Sequence, residues 1–134
     1  MSGEDRGRGK VAYSFAVLRA VPHVRLGAFV NVGVLLHART EEYLALRAIL
    51  DEEELRRRVG GMDTELLARY LRSYAAICAG DPEAGPVALA PPSERFHWVT
   101  APRSDVLQSS PVHEGICDDA AAALDELYAE LVGA

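Results

Sequence analysis

The side chains in this sequence best suited to chemistry are polar groups set where the local pattern calls for apolar ones. Arg19 interrupts the run VAYSFAVLRAV, and Arg95, His97, Arg103 and His113 surround a second apolar segment. A polar side chain drawn out of water needs a partner, so such residues converge either on a structural network or on a binding site. The first reading joins Arg19 and Asn31 to the loop that carries Arg103, Ser104, Ser109, Ser110 and His113. That cluster would be rich in donors, and guanidinium groups grip planar oxyanions through paired hydrogen bonds, so the ligand it suits is a phosphate or a carboxylate. Arg19, Asn31, Arg103, Ser104, Ser110 and His113 are therefore the candidate anion- or partner-binding set. The second reading makes the same residues a network that pins a long loop, with Arg19 paired to Asp105 or Asp118 and Asn31 satisfying loop backbone.

Better-known chemical signatures are missing. His23, His37, His97 and His113 show neither HxxH nor HExxH spacing, so no metal site is expected. Ser109, Ser110 and His113 lie close in sequence but without a GxSxG elbow, and GRGK at Gly7 to Lys10 lacks the strand that precedes a phosphate-binding loop. No cofactor is expected, and no catalytic set is recognisable. A formal net charge of −6 disfavours unspecific attraction to nucleic acid or anionic lipid, and Arg56, Arg57 and Arg58 read as a solvated helix end. Cys78 and Cys117 are isolated, which points to reduced thiols rather than a disulfide framework. Arg19, Pro22, His23 and Arg25 break the first apolar stretch, so it is no signal peptide, and Phe29 to Leu36 is far short of a membrane span. The expected location is the cytoplasm, with no membrane association.

The elements that must position these residues follow from periodicity. Residues 1–10 are polar and Gly-rich and read as a mobile leader, with a single domain over 11–134. Val11, Tyr13, Phe15 and Val17 alternate as a strand, with Arg19 in phase with them. Gly27 allows a turn into AFVNVGVLLHA, whose alternation puts Val30, Val32, Val34 and Leu36 on one face and Phe29, Asn31, Gly33 and Leu35 on the other. A third strand around Tyr43 to Ala48 completes an antiparallel meander. Asp51 with Glu54 caps a short helix, Asp63 caps a second that runs to about Ala79, and Asp118 or Asp119 caps a last one. Phe96, Trp98 and Thr100 alternate with His97, Val99 and Ala101, which predicts a fourth strand followed by a loop over 103–115. The expected fold is α+β: a mainly antiparallel sheet of about four strands, with the 63–79 and 119–132 helices packed on it.

Two segments also carry a family resemblance. YSFAVLRAVPHVRLGAFVNVGVLL (Tyr13 to Leu36) resembles the opening motif of the bacterial domain-of-unknown-function family numbered 3037, apart from Ala28, where an acidic residue is usual. RFHWVTAPRSDVLQSSPVHEGICDD (Arg95 to Asp119) resembles its second motif, in which APRS is followed by SPVH. The resemblance implies no settled activity, but genes of that family often neighbour genes for kinases similar to HipA, which implies a protein partner of that kind. The expected role is a cytoplasmic accessory or interaction protein with a donor-rich anion-binding pocket. The alternative is an enzyme or nucleotide-handling protein acting on a phosphorylated substrate through Arg19, Arg103 and His113, and nucleic-acid binding ranks last.

Overall fold

A computed structural model describes residues 10–23 and 28–133. The proposed leader and the turn at Gly27 lie outside the described residues. Within them the chain is an α+β domain: β1 (Val11–His23), β2 (Ala28–Ala38), β3 (Tyr43–Ala48), α1 (Glu52–Arg58), α2 (Thr64–Ala79), α3 (Pro92–Thr100), β4 (Leu107–Ser109), β5 (His113–Cys117) and α4 (Ala120–Leu131). All strand pairings are antiparallel. β3, β2 and β1 stand side by side, and β1 is long enough to take β5 along its first half and β4 along its second.

Helices cover both faces of this sheet, so β2 is buried without alternation from Val32 to Ala38. Arg47 identifies the first face: it pairs with Asp125 and stacks on Tyr128, both on α4. Directly opposed residues of an antiparallel pair point the same way. Val34 (opposite Arg47), Val17 (opposite Val34) and Phe15 (opposite Leu36) therefore also look toward α4. The second face carries Leu44 opposite His37, which packs its ring against Phe96 of α3, while Tyr74 of α2 meets Trp98 of α3 edge to face. Leu18, Leu35, Leu67 and Leu71 are fully buried in the core.

One irregularity decides where the polar residues fall. Leu18 pairs with Gly33 but Arg19 pairs with Asn31, so Val32 is an extra residue in β2. Such a bulge resets the phase of the strand beyond it. Strict alternation had put Asn31 with Leu35, away from Val34 and Leu36; the bulge moves Phe29 and Asn31 onto the α4 face beside Arg19. Gly33 at this point leaves room for β3, since a Cβ there would sit 3.0 Å from the Ala48 Cβ and 3.3 Å from the Arg47 carbonyl oxygen. It is thus a packing glycine, set against Ala48.

The expected fourth strand over 96–101 is instead α3. Pro92 stands in its first turn, where a fixed φ and a missing N–H both suit a helix. Phe96 and Val99, three apart, form its buried stripe. Alternating aromatic and β-branched residues favoured a strand locally, and packing against His37 and Tyr74 outweighs that preference. The segment read as a loop supplies β4 and β5, which are too short to announce themselves.

Candidate functional site

Three of the residues that look out of place in the sequence, Asn31, Arg95 and Arg103, serve helix ends. The last four carbonyls of a helix have no partner inside it and carry the negative end of its dipole. Neither α2 nor α4 has a basic residue in its last turn, so donors come from elsewhere in the chain. Arg95 sends Nη1 to the carbonyls of Ile77 (3.1 Å) and Cys78 (2.8 Å) at the end of α2, and Nε to Ala90. Asn31 Nδ2 donates to the Leu131 carbonyl at 2.9 Å, and Arg58 Nη1 to the Val132 carbonyl at 2.6 Å, closing the end of α4. Arg103 Nε donates to the Trp98 carbonyl near the end of α3 while its guanidinium stacks 3.9 Å over the Trp98 ring. Arg56, Arg57 and Arg58 are paired with Glu52, Glu53 and Glu54 on the same helix, so they present no bare basic patch.

Ser110 has another structural duty. Between β4 and β5 the ladder skips, and Ser110 bridges the gap: its N–H donates to the Val17 carbonyl at 2.8 Å, and its Oγ accepts from the Val17 N–H at 2.9 Å. Its own proton goes to the Pro111 carbonyl at 2.8 Å. The side chain thus stands in for the acceptor that a backbone carbonyl supplies in a regular antiparallel ladder. Ser104 Oγ accepts from the Val106 N–H at 3.0 Å and shapes the turn into β4.

Four of the six candidate residues do meet. Arg19, Asn31, Ser110 and His113 line one cavity of about 420 Å³ on the α4 face, together with Phe15, Val17, Phe29, Glu114 and Leu131. Arg103 and Ser104 do not reach it: they line a separate cavity with Asp105 and Gln108. Asp105 and Asp118 are not partners of Arg19 among the described residues. Arg19 instead holds its guanidinium 4.3 Å over Phe29, a ring that is 51% exposed, and makes no ion pair or side-chain hydrogen bond among the described residues. His113 is exposed, with its ring 5.3 Å from that of Phe15. With Asn31 and Ser110 occupied by the backbone, the groups open to a ligand are one guanidinium, one imidazole and the Glu114 carboxylate above an apolar floor. That set can bind an anion with an apolar neighbour.

On the opposite face lies a second polar group that sequence reading did not single out. His37 is 9% exposed and faces two adjoining cavities of about 700 and 660 Å³. Its pKa is lowered, first by burial and then by Arg39, Arg95 and His97, so the imidazole is held neutral. The only sign of it in the sequence is a histidine inside an apolar strand. Cys78 is buried and its thiol is pushed up to about 12, so it is unreactive, and no group of three or more potential metal ligands occurs among the described residues. No described helix is long and apolar enough to cross a membrane.

No curated protein and no solved structure shows significant similarity to this chain. The family model described as "Protein of unknown function (DUF3037)" matches residues 15–132, nearly the whole sequence, including both sides of the Arg19 cavity. The chain is a member of that family.

Proposed function

We propose that this protein is a cytoplasmic interaction module that binds a protein partner through the Arg19 cavity. An acidic side chain of the partner meets the guanidinium, and an adjacent apolar side chain enters the space above Phe15 and Val17. The observation behind this reading is that Arg19 stands over a half-exposed Phe29 at the mouth of an apolar-floored cavity, with no acceptor of its own among the described residues. A desolvated charge-assisted hydrogen bond flanked by aromatic surface is the usual make-up of an interface anchor.

The partner put forward first is the HipA-like kinase that the family resemblance implies. The full chain and that kinase, mixed at micromolar concentration, are expected to co-elute in gel filtration. Arg19→Ala should weaken the association about tenfold, in keeping with a hydrogen bond to a charged group, and leave the thermal midpoint in place. Absence of association, or a complex indifferent to Arg19→Ala, overturns the proposal. An enzyme using Arg19, Arg103 and His113 together has less support, because Arg103 is stacked on Trp98 and lines a different cavity from the other two.

A further inference from the structure

His37 stands at the centre of an arrangement that the Arg19 reading does not use. In register, Ser14 of β1 lies directly opposite His37 of β2 on one side and Glu114 of β5 on the other. Directly opposed residues in an antiparallel sheet have Cβ atoms about 5 Å apart, so the three polar side chains form a row across three strands. Ser14 and His37 line both of the adjoining cavities on this face. At one end α3 adds Phe96, His97 and Trp98, and at the other stands Arg39.

His37 is buried, yet neither its ring nitrogens nor the Ser14 hydroxyl makes a hydrogen bond among the described residues. Buried polar side chains are ordinarily satisfied, and leaving one unpaired costs about 1–3 kcal/mol. The missing partner must therefore come from what enters the cleft. Burial first, and then Arg39, Arg95 and His97, disfavour a charge on the imidazole itself. Arg103, tied through Nε, keeps its remaining N–H groups free to receive an anion. Two carboxylates, Glu94 and Glu114, also line the cavities and bar a ligand with charge spread along its whole length. A cavity of about 700 Å³ walled by rings and carrying a few convergent polar groups has the size and make-up of a small-molecule site.

We propose that the cleft between α3 and the open half of the sheet is a binding site for a small ligand bearing a flat ring and one anionic group, of the nucleoside monophosphate kind. The ring lies along Phe96 and Trp98, its polar edge takes up the Ser14–His37 pair, and the anion meets Arg103. The Arg19 cavity opens on the other face, and Glu114 lines both.

Trp98 is the chain's single tryptophan and lines the cleft, so its emission reports occupancy directly. The full chain would be titrated with adenosine monophosphate, with adenosine and with inorganic phosphate in separate arms. Saturable quenching by the monophosphate is expected, weakened about tenfold by Ser14→Ala and by His37→Gln and unchanged by Arg19→Ala. Equal response to adenosine removes the anionic requirement, and equal response to phosphate removes the ring; either overturns the proposal. So does the lack of any response at millimolar ligand, or a response that Ser14→Ala leaves intact. If His37→Gln fails to fold, Ser14→Ala on the half-buried neighbouring position still decides.

Discussion

The two faces of the sheet treat their polar residues in opposite ways. On the α4 face, Asn31, Ser110 and Arg47 are spent on backbone carbonyls, a strand gap and an ion pair, while Arg19 and His113 make no side-chain hydrogen bond or ion pair among the described residues. On the α2 and α3 face, Arg95 ties down a helix end through three hydrogen bonds, and Arg103 does so through Nε alone. His37, in the interior, and the neighbouring Ser14 make no side-chain hydrogen bond among the described residues. A polar side chain at an unexpected place in the sequence is thus a poor guide to a ligand. What distinguishes the two uses is whether a helix end or a ladder gap lies within reach, since an orphaned carbonyl competes with any ligand for the same donor.

If both faces are true core, truncating either should cost the most of any change considered. Leu35 and Leu36 are neighbours in β2, both with no exposed surface, and they point to opposite faces. Leu35→Ala and Leu36→Ala are each expected to lower unfolding free energy by about 3 kcal/mol, read by urea denaturation. A loss near zero for one of them would mean that its face is only loosely covered.

Next in size is the ladder gap. Ser110→Ala strands the Val17 N–H in the interior and should cost about 1–3 kcal/mol, whereas Ser104→Ala, which loses only a turn contact, should cost about 0.5 kcal/mol. Equal losses would deny Ser110 its bridging role.

The smallest effect is a dependence on pH. The folded-state pKa of His37 is depressed, so below about pH 6.5 the unfolded chain binds a proton that the folded chain refuses. The stabilisation is fully present above that pH and is lost as pH falls toward the depressed value. Thermal midpoints should therefore fall between pH 7 and pH 5.5, less steeply in His37→Phe, which keeps a ring against Phe96. An identical slope in the variant would show that the histidine is not held neutral in the native state.

Much of the architecture was legible because it is written in local patterns. Asp51 and Asp63 cap α1 and α2 through side-chain hydrogen bonds to Glu54 and Leu66 N–H groups, and Asp119 does the same for α4. Period-two alternation marked β1 and β2. The site was half legible: Arg19 and His113 stand out against apolar surroundings, and they do share a cavity with Asn31 and Ser110. His37 was not legible, because its significance depends on lying opposite Ser14 across the β1–β2 pair, a register that no local pattern announces.

Capping residues and the period of the first two strands were determined by the sequence alone, because each rests on interactions within a few residues. Tertiary structure alone decided three things: that 92–100 is a helix, that an extra residue at Val32 turns Asn31 toward Arg19, and that distant arginines close α2 and α4. Each of those outcomes balances a weak local preference against burial or an unpaired carbonyl contributed by a segment far along the chain, and such a balance has no local signature.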